Sequence, residues 1–265
     1  MEAVQVSYAL AVPLDQLPAA TPFVTGADLL GLLDIIGDLE QFRGDKPRKV
    51  DWRLVTASGG TATLRSHSEP DVASRAALSL VHGFGDVERA EQLPPAWSLS
   101  AGRRAERVAN RLGDTANTGL YLAVDGAEAA EAQVTRQASR HLKSATDLRL
   151  TSYGSVVGVL GRVTAHKGRR TAALWSDLDA RRIEVRFGEP HVEDMRDAWA
   201  QSHVEVTGVL HENVGGQILR VDMDSLEVLR GTKASLVEDI PRGFYEELTD
   251  GLSTIDYLKA IRGEE

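Results

Sequence analysis

The sequence contains no cysteine. That one absence excludes disulfides, thiol nucleophiles, iron–sulfur clusters and cysteine zinc sites, and it fits a reducing compartment, so a cytoplasmic location is expected. Aromatic residues are sparse, 5% of 265 residues with 4 tryptophans, so any stacking chemistry falls on a few positions. No apolar run approaches the roughly 18 residues of a membrane helix, and no membrane association is expected. The first residues, MEAVQVSYALAV, lack a basic leader and alternate like a strand, which argues against a secretory signal. Catalytic signatures are missing as well: there is no GxSxG, HExxH or kinase set.

What is present is the balance of a globular chain, 42% hydrophobic and 26% charged, with material for one large domain or two small ones. The net charge is −9, and no long region is basic. Bulk attraction for phosphate is therefore not built in, and any nucleic-acid site has to be a local patch. Arginine outnumbers lysine strongly, and with abundant Ala, Val and Leu the composition resembles bacterial coding from a GC-rich genome.

Along the chain, AVQVSYALAV reads as a strand and Thr25 as the cap of a helix to about Phe42, with Leu29, Leu32, Leu33, Ile36 and Leu39 on one stripe. A hairpin follows: Val50, Trp52 and Leu54 alternate, Gly59-Gly60 turns, and Leu64 resumes the apolar face. Val72 to His82 reads as a helix stopped by GFGD, and Ser98 to Leu112 as a second. TGLYLAVDG is a short strand, and Ala127 to Lys143 reads as a helix with acids early and bases late. This order resembles a ferredoxin-like split β-α-β unit with an added helix.

From Ser144 the pattern becomes five strands. They are LTSYGSVVGVLGRVTAH, TAALWSD, RIEVRF, HVEVTGVLHE and QILRVDMDSLEVL, with one short helix, EPHVEDMRDAWAQ, between the third and fourth. That order resembles an OB-fold barrel. The expected fold class is α+β: a ferredoxin-like domain over 1–143, a five-stranded OB-like β-barrel over 144–231, and a linker with a C-terminal helical tail over 232–265. GVLGRV and GVLHENV echo one another faintly, with no period that continues.

The glycines of GSVVGVLGRV do not form a phosphate loop. No GK[ST] follows, the flanking valines keep β character, and the next element is a strand rather than a helix. They are expected to serve bends and close backbone approach. The basic residues nearby carry two readings. Arg162, Lys167, Arg169, Arg170, Arg182 and Arg186, with Trp175, form either an aromatic-and-arginine platform for single-stranded nucleic acid or a solvated hairpin around a core tryptophan. Arg104, Arg107 and Arg111 share one helix face, solvated or docked to an acidic partner. The seven histidines are scattered, and neither a metal nor a cofactor is expected.

The end of the chain, FYEELTDGLSTIDYLKAIRGEE, resembles the short partner-gripping tails of bacterial toxin–antitoxin and phage-defence modules. That resemblance implies protein contacts through Tyr245, Leu248, Tyr257, Leu258 and Ile261. The expected function is a non-enzymatic binding protein, an antitoxin-like or accessory component of a stress or defence module acting on a protein partner. The alternatives are an RNA- or single-stranded-DNA-binding protein using the barrel, and an enzyme whose dispersed site has no motif. The oligomeric state has no sequence signal.

Overall fold

A computed structural model describes residues 4–10, 26–41, 49–58, 61–66, 68–111, 120–125, 129–166, 168–199 and 203–229. Residues 1–229 form one compact unit and 230–265 a second. The second unit lies outside the described residues, and with it the expected tail contacts at Tyr245, Leu248, Tyr257, Leu258 and Ile261. The chain is α+β, and among the described residues no helix is long and apolar enough to cross a membrane.

The first half is a five-stranded antiparallel sheet carrying helices. Its strands are β1 (Val4–Leu10), β2 (Trp52–Ser58), β3 (Thr61–Ser66), β4 (Leu120–Asp125) and β5 (Ala130–Val134), in the order β2-β3-β1-β4-β5. Helix α1 (Gly26–Leu39) joins β1 to β2, and β3 sits between those two strands. Alternate residues Val4, Val6, Ala62, Leu64, Val124, Ala132 and Val134 are buried. All of these but Leu64 belong to one core with the apolar faces of α1, α2 (Pro70–Arg89), α3 (Leu99–Asn110) and α4 (Arg136–Ala145).

Three expectations change here. The α2 helix does not stop at GFGD but runs through it to Arg89. Gly83 is needed for packing: a Cβ there would come within 2.4 Å of the Trp97 indole. Phe84 meets the same indole edge-on, with ring centroids 5.1 Å apart, an arrangement that contributes about 0.5–1.5 kcal/mol beyond area burial. That packing offsets the roughly 1 kcal/mol that a mid-helix glycine costs. The expected helix over 127–143 is instead a strand and a shorter helix. Burial alternates with period two along β5, and Thr135 caps α4 by accepting from the Gln137 N–H. In β2, Leu54 is exposed although it lies opposite buried Leu64; β2 is the edge strand of the sheet.

The second half is a closed barrel of β6 (Leu148–His166), β7 (Arg169–Ser176), β8 (Arg182–Arg186), β9 (Val204–Asn213) and β10 (Ile218–Val228), ordered β10-β8-β7-β6-β9. The β8–β10 pair is parallel and the rest antiparallel. Helix α5 (Val192–Trp199) lies between β8 and β9 in sequence and adds Met195 and Ala198 to the barrel core of Leu160, Leu174, Val185, Val206 and Val221. The strands are staggered, as closure requires. The partners Thr164, Thr171, Arg186, Asp222 and Val209 lead once around the outside and return to β6 at Tyr153.

The two halves are joined by packing. Leu219 of β10 belongs to the core of the sheet layer. Buried Asn213 donates to the Ala145 carbonyl, and buried Gln217 accepts from the Leu93 N–H.

Candidate functional site

The strand alternation that buries Ile183 and Val185 points Arg182, Glu184 and Arg186 outward, and the pairing of Trp175 with Arg182 puts Trp175 on the same outer side. Outward does not mean open. Trp175 is 5% exposed and belongs to neither hydrophobic core. A Cβ on Gly161 would lie 3.1 Å from its indole nitrogen, and the segment around Pro95 docks beside β8, where the Arg182 N–H donates to the Pro95 carbonyl.

Arg182 is closed in as well. Its guanidinium donates to both carboxylate oxygens of Asp38, at 3.1 and 3.3 Å, to the Asp38 carbonyl at 2.9 Å and to Gln41 at 2.9 Å. The two charged side chains are 8% and 16% exposed. Asp38 also accepts from Ser98, the N-cap of α3. Next to it, Arg181 donates to the Leu93 carbonyl at 2.6 Å. Arg182 therefore ties the sheet layer to the barrel, and Trp175 is covered.

The other expected residues separate. Arg162 is exposed and forms no ion pair with a described residue. Arg170 pairs with Glu189 at 2.9 Å, and Arg186 with Glu184 at 2.7 Å. Lys167 lies outside the described residues, and Arg169 is placed only as a residue of β7. On α3, Arg104 turns toward Asp34 of α1 at 3.8 Å and Arg111 is the C-cap, whereas Arg107 is exposed.

The structure brings together a different set. Arg103, exposed on α3 beside Arg104, is in electrostatic reach of Arg220 of β10, and so is Arg186 of β8. Burial, and then the charge of Arg186, hold the Arg220 guanidinium below its usual arginine range; Arg103 pushes the same way, and Asp222 and Glu184 oppose. Arg220 Nε is buried without a hydrogen bond, 3.4 Å from Asp222 Oδ1. His211 of β9 completes the group, with Nε2 2.6 Å from Asp222 Oδ2 and 3.1 Å from Arg220 Nη2. Among the described residues no three His, Asp or Glu side chains are grouped as metal ligands.

Beside this cluster lies a cavity of about 270 Å³ between the start of α3 and the barrel, lined by Ser98, Ser100, Arg162, Thr164, Thr171 and Glu184 together with the Asp38–Arg182 pair. A second cleft of about 710 Å³ adjoins it and shares Gln41 and Arg162. There Glu40, 6% exposed, accepts from the Val50 N–H and the Trp52 indole N–H. Burial pushes its carboxyl above the ordinary value, with those two hydrogen bonds and Lys49 opposing.

Arg103, Arg220, His211, Trp52 and the α3 serines were not among the site residues expected from the sequence. The GRRAER run was the available signal for Arg103, but helical spacing alone does not say which of two adjacent arginines meets the barrel. The chain matches no protein-family model and no curated protein. Among solved structures it is similar to a chain of the S. pombe Stn1-ten1 complex, at 19% identity and a TM-score of 0.24, over 30% of this chain and 59% of that one.

Proposed function

We propose that this is a non-enzymatic binding protein that holds single-stranded nucleic acid where α3 meets the outer face of an OB-type barrel, with the first four strands as a ferredoxin-like unit extended by β5. The strand order, the parallel β8–β10 pair and the position of α5 support the OB reading. The observation that carries the function is the placement of Arg186 and Arg220 on the paired strands β8 and β10, with Arg103 of α3 in electrostatic reach of Arg220, in a chain of net charge −9. Neighbouring cations repel one another, and a bound phosphate relieves that repulsion. Arg107 extends the strip along α3, and the serine- and threonine-lined cavity continues it toward Arg162. The defence-module reading, in which residues 243–265 grip a protein partner, rests on the sequence resemblance alone.

The test is fluorescence anisotropy with labelled single-stranded DNA and RNA across a salt series. Affinity is expected to fall steeply with salt. Arg103→Ala and Arg107→Ala should each weaken binding and shorten the log–log salt slope by roughly 0.7. Absence of binding at low salt, or an affinity indifferent to salt, overturns the proposal.

A further inference from the structure

Trp175 was the expected stacking residue, and the structure covers it. A different tryptophan is available. Trp52 opens β2 in the sheet layer, and its half-buried ring packs partly on the core while also lining the 710 Å³ cleft. Its indole N–H is tied to Glu40 at 3.0 Å, and Glu40 is in turn fixed by the Val50 N–H at 3.1 Å. The ring is thereby held in one orientation without using its π face, and a pre-set ring loses little freedom when a base stacks on it. Lys49 and Arg162 line the same cleft, as does Asp51, which is paired with Arg53, and Arg162 also lines the neighbouring cavity with Ser100 of α3. An aromatic surface flanked by cations is the arrangement that holds bases by stacking and the backbone by charge. The cleft has the volume for a nucleotide unit.

Resting on the nucleic-acid reading above, we propose that Trp52 is a base-stacking platform: an unpaired base of the bound strand lies against its indole, and Lys49 and Arg162 take the flanking phosphates. The platform is supplied by the sheet layer, so both halves of the molecule contribute to one site.

The four tryptophans make this testable by fluorescence. Trp97 and Trp175 are buried and Trp199 is exposed, so Trp199→Phe serves as the parent, leaving Trp52 as the tryptophan open to ligand. Oligothymidylate and oligouridylate of about 15 nucleotides, close to the upper site size of one barrel, are titrated at low salt. The parent should be quenched on binding, and the quenching should vanish in Trp52→Phe, which keeps a ring on the core. Trp52→Leu should weaken oligonucleotide affinity by roughly tenfold while leaving the binding of inorganic polyphosphate, which has no base, unchanged. If the parent binds either oligonucleotide but neither its quenching nor its affinity responds to change at Trp52, the platform is wrong and the nucleic-acid reading survives. If the parent binds neither oligonucleotide, both fall. A Trp52→Leu protein that loses polyphosphate binding equally assigns Trp52 a structural role and overturns the platform.

Discussion

Arg182 gives up nearly all of its hydration to sit against Asp38, and the arrangement is stable because almost every polar atom finds a partner. Two carboxylate oxygens, a backbone carbonyl and the Gln41 amide receive its N–H groups. Burying two charges costs several kcal/mol before their attraction is counted, so such a pair adds little over an apolar one, while stranding one partner is severe. Asp38→Ala should therefore lower stability by about 3–5 kcal/mol. Adding Arg182→Met should recover part of the loss, because no charge is then left alone. Urea denaturation of the single and double variants checks this; a loss under about 1 kcal/mol in Asp38→Ala would mean that the pair is solvated in solution. The sequence presents Arg182 plainly as a basic residue on a strand, but its partner lies 144 residues away, and nothing in local pattern points from one to the other. Trp175 is similar: the sequence leaves the platform and core readings open, and strand alternation cannot show that its outer side is covered, as its 5% exposure records.

At the scale of elements, the two GVL segments have a common geometric reason. A Cβ on Gly158 would lie 2.1 Å from the Trp175 carbonyl oxygen, and one on Gly208 would lie 2.1 Å from that of Asp222. Each glycine lets its strand pass a neighbour's backbone closer than any side chain permits. Gly158→Ala and Gly208→Ala should each cost at least about 2–3 kcal/mol, because backbone has to move. Gly154→Ala should cost under about 1.5 kcal/mol, since its new methyl group meets the flexible end of Leu210 at 3.1 Å. Equal losses at all three positions, measured by chemical denaturation, would contradict the close-approach argument. The barrel strands are legible in the sequence because antiparallel pairing with one buried face writes a period-two pattern between glycine-bearing turns. The β5 strand is not legible. AEAQV is rich in good helix formers, and its strand state comes from pairing with β4 along the sheet edge, a tertiary effect that overrides propensity. The passage of α2 through GFGD is hidden for a related reason, since the residue that makes Gly83 useful, Trp97, lies beyond the end of the helix.

At the scale of the molecule, the sheet layer and the barrel have separate cores, yet Leu219 crosses from one to the other, and Asn213, Gln217, Arg181 and Arg182 all bond across the junction. Residues 1–229 are expected to unfold in one transition. Tryptophan fluorescence, which reads Trp97 in the layer and Trp175 on the barrel, should coincide with far-ultraviolet circular dichroism; two separated transitions would show that the junction is weaker than its bonds suggest. The sequence reading separated the arginines of α3 from those of the barrel and gave them different partners. Folding brings Arg103 of α3 within electrostatic reach of Arg220 of β10, so the two groups are not independent. The Asp38–Arg182 pair also bears on descent. Drift at either position strands a charge, so the two should be inherited, exchanged or lost together. In chains too diverged to align by eye, an acid near the end of the first helix and an arginine opening the third barrel strand form a two-point signature of common ancestry.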